Sequence, residues 1–183
     1  MPYIRQDQRD QWTKIIDALL LKVRNNSGKL KYFVTTMALK IATPQCYSNY
    51  ERASGFLCCL SSEFERRVPG IKERGNNYQT YPSIPFDMDT ESLAINTNLV
   101  HGISKDHQGG HSNYITSVLF EKLIHRGYFE PSEIYSILTD TIENFYHNQI
   151  APYEDIKIQE NGDVYFQALL PWHDREEIED ETV

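Results

Sequence analysis

The stretch from Gly28 to Val68 carries two amphipathic segments on either side of a Thr43-Pro44 break, and a fainter version of it returns from Gly110 to Ile150. GKLKYFVTTM at Gly28 to Met37 lies over GHSNYITSVL at Gly110 to Leu119, which puts Tyr32 on Tyr114 at an offset of 82 (114 minus 32). Downstream, Phe64 falls on Phe145 at an offset of 81 (145 minus 64), so the two pairs differ by one residue in the intervening turn. Such a duplication is expected where a half-molecule can bury its apolar stripe only against a second copy, the logic shared by symmetric dimers and tandem repeats. The pattern therefore predicts an all-α fold of two tandem antiparallel helical hairpins, packed with pseudo-twofold symmetry and joined by a long irregular connector.

Periodicity sets the individual helices. Trp12, Ile15, Ile16, Leu19, Leu20 and Val23 recur at three-then-four spacing, with Asp7 as the expected N-cap. Leu30, Phe33, Val34, Met37, Ala38 and Ile41 form the stripe of a second helix that Thr43-Pro44 ends. A third helix begins near Ser48, turns Tyr50, Ala53, Leu57, Leu60 and Phe64 inward, and stops at Pro69-Gly70. Gly55 inside it costs about 1 kcal/mol relative to Ala, which predicts close packing against a neighbouring helix. From Ile71 the periodicity vanishes, and Tyr78, Tyr81 and Phe86 predict a connector packed onto the helices, with a short helix near 90–100. Ile115, Val118, Leu119 and Leu123 mark the next helix, over Ser112 to His125. Ile134, Ile137, Leu138, Ile142 and Phe145 mark the one after it, opened by Pro131 in a tolerated first-turn position.

The block APYEDIKIQENGDVYF admits two readings. Pro152 near a first turn and Gly162 past the end favour a short helix. Alternation of Ile156, Ile158, Val164 and Phe166 around Asn161-Gly162 fits a short C-terminal β-hairpin. The chain thus divides into 1–70 (N-terminal helix and first hairpin), 71–109 (connector), 110–170 (second hairpin and C-terminal block) and an acidic tail at 171–183, all in one compact domain.

A formal charge of -8 works against duplex nucleic-acid binding, which requires a clustered Lys/Arg excess. Cys46, Cys58 and Cys59 cannot pair completely and read as reduced core thiols. MPYIRQDQRDQW lacks an apolar signal core, and no stretch approaches the roughly 18 apolar residues that a membrane span requires. The expected location is the cytoplasm.

Several clusters invite chemistry. His101, His107 and His111 with Asp106 could hold a divalent metal. Gly109-Gly110 gives that loop no rigid geometry, however, and the spacing matches no zinc signature, so it reads as a polar surface loop with no metal assigned. Glu63, Glu65, Arg66 and Arg67 either clasp an anionic ligand or complement a helix dipole and pair among themselves, the second reading being favoured. Asp140, Glu143 and Glu133 lack the matching acidic repeat of a magnesium cage and read as a solvated face. Tyr153, Glu154, Asp155, Asn161, Gly162 and Asp163 form the densest polar group, either helix caps and turn chemistry or a recognition surface. The 12 tyrosines suit an interface or a stacking pocket, because each joins an apolar ring to a polar tip.

Met1-Pro2-Tyr3-Ile4, Gly28-x-Leu30-x-Tyr32-x-x-Thr35, Tyr47-x-x-Tyr50, Glu63-Phe64-x-Arg66-Arg67 and APYEDIKIQENGDVY at Ala151 to Tyr165 resemble a family of small uncharacterised proteins common in bacteriophages and bacteria. In those relatives, typically about half this length, the Glu-Phe-x-Arg-Arg helix leads directly into the Ala-Pro-Tyr-Glu-Asp block. Here Pro69 to Ile150 separates them, as if a second, degenerate hairpin stood between. The resemblance implies a helical fold and a phage or bacterial origin, and carries no activity.

The resulting expectation is a non-enzymatic helical binding or assembly protein, a phage accessory acting through protein–protein contacts, with Tyr and Arg anchors, homo-oligomer formation as one form of assembly, and no cofactor. The alternative is a small-ligand protein, for instance for a signalling nucleotide, with Tyr32, Tyr114, Arg66 and Arg67 lining a pocket between the hairpins. A metal-dependent hydrolase using the histidine loop ranks below both.

Overall fold

The computed structural model describes Ile4, Asp7, residues 9–74 and residues 108–162. Their elements, in chain order, are α1 (Asp10–Val23), α2 (Ser27–Ile41), α3 (Tyr47–Arg67), the short α4 (Ile71–Arg74), α5 (Gln108–His125), α6 (Pro131–Phe145), a wide π turn (Tyr146–Ile150) and α7 (Ala151–Asn161). The all-α expectation holds, and no strand occurs among the described residues.

Local chemistry explains the boundaries. Asn25 takes a left-handed φ of 55°, and the Asn26 side chain then accepts a hydrogen bond from the Lys29 N–H at 2.9 Å, capping α2. The Glu133 carboxylate accepts from the Glu130 N–H at 2.9 Å, and Pro131 fills a first-turn position whose N–H needs no partner. At the far end of α6 the helix does not stop. Pro152 has no N–H and its ring crowds the preceding turn, and the π turn immediately before it widens the helix enough to continue into α7. Gly162, at φ 86°, ends the run.

The helices close by exchange between the two halves. Helix α2 packs on α6 and α3 packs on α5, contacts that turn into one another when the halves are swapped; α2 also meets α3, and α1 lies on α5. The burial register matches position by position. Phe33, Val34, Met37, Ala38 and Ile41 on α2 are buried, as are Ile115, Thr116, Leu119, Phe120 and Leu123 at the same offset on α5. On the second helix of each pair, Ala53, Phe56, Leu57, Leu60 and Phe64 answer to Ile134, Ile137, Leu138, Thr141 and Phe145, all buried. Tyr32 and Tyr114 occupy corresponding half-buried positions beside these stripes. Neither half could cover its stripe alone, which is the physical content of the pseudo-twofold.

Several expectations need correction. Helix α1 starts at Asp10 with Arg9 in the cap position, so Asp7 is not the N-cap; the Arg9 side chain is drawn over Tyr114, and Asp10 supplies the first-turn acid. Gly55 is exposed, and a Cβ added there would meet nothing within 4 Å, so close packing is not its reason. None of the cysteines is a core thiol: Cys58 is exposed, and Cys46 and Cys59 are half-buried. The connector begins and ends inside helix, since Ile71–Arg74 is helical with Ile71 buried and α5 starts at Gln108. Residues Ala151–Asn161 form a helix, so the hairpin reading fails over that span, and Val164 and Phe166 lie outside the described residues. Tyr78, Tyr81, Phe86 and the helix expected near 90–100 also lie outside them.

Candidate functional site

The last turns of α3 present the sequence Glu63-Phe64-Glu65-Arg66-Arg67, and each residue has its own task. Glu63 is only 7% exposed and accepts from Arg66 Nη2 and Arg67 Nε at 2.6 Å each and from Arg66 Nε at 3.0 Å. Hydrogen bonds from Arg66 and then Arg67 hold its carboxyl down to about 2 against an ordinary 4.5. Phe64 meets Phe120 of α5 edge to face, ring centres 6.0 Å apart. Glu65 ties the halves together, pairing with Lys72 at 2.9 Å and accepting from the Tyr135 hydroxyl of α6 at 3.1 Å. Lys72 is the main cause of its lowered pKa, while burial first and Glu65 second push the Tyr135 phenol up.

Between this end of α3 and the face of α5 lies a groove of about 740 Å³. Leu60, Phe64 and Val68 form one wall, and Val118, Phe120 and Ile124 the other. Its polar members are Arg9, Glu63, Arg67, Tyr114, Ser117, Glu121 and His125. The Arg9 guanidinium sits 5.5 Å from the centre of the Tyr114 ring and donates through Nη2 to the Ile4 carbonyl at 3.4 Å, yet its Nε is buried with no hydrogen-bond partner among the described residues.

A second polar feature lies inside the α2–α6 contact. Lys31 Nζ and Asp140 Oδ2 pair at 2.7 Å, their side chains 7% and 3% exposed, and Asn144 Nδ2 donates to Asp140 Oδ1 at 2.7 Å. Asp140 is therefore not part of a solvated acidic face. Glu133 serves the α6 cap, and Glu143 alone of the three stands in solvent.

The fold distributes the anticipated binding residues between two places. Tyr114 and Arg67 line the groove; Tyr32 and Arg66 are not among its lining residues, Arg66 lying beside it on Glu63. Tyr153, Glu154, Asp155 and Asn161 sit on α7, and Asp163 lies outside the described residues. Tyr153 packs on Tyr50 at 5.1 Å with Lys157 over its ring, Glu154 accepts from the Tyr146 hydroxyl at 3.2 Å, and Asn161 Nδ2 donates to the Lys157 carbonyl at 3.1 Å. Helix α7 buries no residue, and Ile156 and Ile158 are exposed. Of the histidine cluster, His101 and His107 lie outside the described residues, and His111 is buried in α5 against Trp12, ring centres 5.4 Å apart. The described residues contain no group of three His, Cys, Asp or Glu placed to hold a metal, and no helix long and apolar enough to cross a membrane.

Arg9 and Lys31 carry no reading in the sequence, and Asp140 reads there as part of a solvated face instead of a buried pair. Lys31 and Asp140 each sit beside an inward stripe, three residues from Val34 and Ile137, and that edge position on facing helices was the available signal. Arg9 gave none, because nothing in its neighbourhood distinguishes it from the other charges of RQDQRD.

A family model described as Domain of unknown function (DUF6899) matches the chain twice, over residues 1–80 and 85–164. The chain belongs to the DUF6899 family. The two matches agree with the duplicated burial register and with the internal duplication expected from the sequence; the Glu63–Arg67 motif falls within the first matched span and the block starting at Ala151 within the second. No curated protein and no solved structure matches the chain.

Proposed function

We propose that this tandem DUF6899 protein is a non-enzymatic binding protein that works through protein–protein contact, with α7 as the contacting arm. The observation that carries this is the contrast between a tightly covered core and α7, the last helix among the described residues, which has no buried residue and on which Ile156 and Ile158 stand in solvent with Tyr146 just before it. An apolar residue left exposed is ordinary singly; two on a helix that buries none of its residues leave apolar surface that a partner could cover. Tyr47, 70% exposed, lies one turn before Tyr50, which packs on Tyr153, so it borders the same end of the fold. Glu154, Asp155 and the Lys157–Glu160 pair leave the arm net acidic, which selects a partner whose apolar pocket is edged by Lys or Arg. A phage accessory role, implied by the sequence motifs, would make that partner a host or phage protein.

The experiment is a binding titration of a purified partner, first recovered by crosslinking in host lysate, against the wild type and an Ile156→Asp/Ile158→Asp variant. The variant is expected to lose at least tenfold in affinity with an unchanged unfolding midpoint. Equal affinity in the two proteins would remove α7 as the contact.

A further inference from the structure

The groove between α3 and α5 is independent of the arm, and we infer that it is a binding site for a small molecule joining a planar aromatic ring to a compact oxyanion, a phosphate or a carboxylate. Its volume of about 740 Å³ falls in the range of small-molecule sites, roughly 300–1,000 Å³. The walls supply what a planar ring needs: Phe64 and Phe120 set edge to face, with Leu60, Val118 and Ile124 around them.

The oxyanion end follows from the guanidiniums. Arg67 gives its Nε to Glu63 and engages its terminal nitrogens in no hydrogen bond among the described residues. Arg9 holds a buried Nε without an acceptor among them, a desolvated donor that a ligand oxygen would satisfy, and its guanidinium carbon sits 5.5 Å from the centre of the Tyr114 ring. Carboxylates also line the groove. Glu63 already accepts three hydrogen bonds from Arg66 and Arg67, and Glu121 stands 3.9 Å from His125. Arg9 and Arg67 thus face Glu63 and Glu121 across the groove, and because Glu63 is already engaged by Arg66 and Arg67, the donors left open toward a ligand are those of Arg9 and the terminal nitrogens of Arg67.

The duplication sharpens the inference to a stoichiometry. At the related α2–α6 contact, Glu63 and Arg67 are replaced by Asn144 and Asn148, Phe120 by Ala38, and Glu121 by Leu39, read at the offsets of the repeat. The second copy of the site has lost both the guanidinium and one of the two aromatic walls. One ligand per chain is therefore expected, although the domain occurs twice.

Isothermal titration calorimetry on the full chain tests this with adenosine 5′-monophosphate and indole-3-carboxylate as ring-plus-anion probes, and adenosine, indole and inorganic phosphate as their separate pieces. At least one of the two composite probes is expected to bind saturably at one equivalent per chain, at least tenfold tighter than its pieces; which one binds distinguishes a phosphate from a carboxylate ligand. Arg67→Ala and Arg9→Gln should each weaken binding at least tenfold and Arg67→Lys several-fold, while Asn148→Ala on the related side leaves it unchanged. Circular dichroism and the unfolding midpoint verify that each variant is folded, and Arg66 still holds Glu63 in the Arg67 variants. No saturable binding by either composite probe, two equivalents per chain, or wild-type affinity in both arginine variants would overturn the inference.

Discussion

The two copies part ways at the ends of their long helices. After α3 the chain turns at Gly70, φ 72°, and Ile71 is seated against α6 at 2% exposed. After α6 the helix runs on through the π turn into α7, and Ile156 is 53% exposed. The sequences begin alike, IKER at Ile71 and IKIQ at Ile156, so a similar segment is docked in one copy and left projecting in the other. The charges differ in the same sense. The first copy ends its helix with Glu63, Arg66 and Arg67, and the second has Asn144, His147 and Asn148 at those offsets. Positions that cover each other across the pseudo-twofold stay buried in both copies, apolar in all but Thr116 and Thr141, because a change in one exposes its mate. Positions beyond that mutual cover are free to diverge, and that is where Arg67 of the groove and the arm are found.

The comparison can be broken first at the core. Leu57→Ala and Leu138→Ala remove the same buried side chain from the two copies, and each should cost about 2–5 kcal/mol, the two agreeing within about 1 kcal/mol in urea unfolding if the copies share one seam. A large cost in one copy alone would mean that only that copy carries the core.

A smaller effect sharpens the difference between the helix ends. Glu63 has its pKa depressed to about 2 from 4.5. It therefore contributes stability that is fully present above about pH 4.5 and is lost as the pH falls toward 2. Glu63→Gln should flatten the acid limb of stability against pH, whereas Asn144→Ala on the other copy should leave its shape unchanged. Because Arg66 and Arg67 are 66% and 63% exposed, the Glu63 contribution should also shrink in high salt. An acid limb identical in wild type and Glu63→Gln would deny the carboxylate this role.

The smallest effect is at Gly55. With open space at its Cβ and no positive φ, Gly55→Ala should stabilise the protein by about 0.5–1 kcal/mol, read as a higher urea midpoint.

The helices and their inward faces were legible because apolar residues recur at helical spacing and the repeat displays the pattern twice. Pro131 and Gly162 signalled their helix ends by ordinary turn and cap chemistry. What could not be read was pairing across the copies. Lys31 and Asp140 look like surface charges until α2 is set against α6, and Gly55 looks like a packing residue until its face proves to be open. The groove was legible only in part for the same reason: Arg67 and Tyr114 stood out as residue types, but Arg9 joins them solely through the α1–α5 contact. That the segment after α6 would continue as helix was balanced against a hairpin, since Pro152 and Gly162 bracket a helix while the alternating isoleucines imitate a strand.

The central claim is that the copies close by exchange, α2 onto α6 and α3 onto α5. A double-mutant cycle at Lys31 and Asp140 tests it most directly, with stability measured by urea unfolding for Lys31→Met, Asp140→Leu and the pair together. Each single change strands a buried charge and should cost about 3–5 kcal/mol, while the double change leaves an apolar contact and recovers most of that loss. If the two losses instead add to within about 0.5 kcal/mol, Lys31 and Asp140 are not partners, and the exchanged packing of the two copies is contradicted.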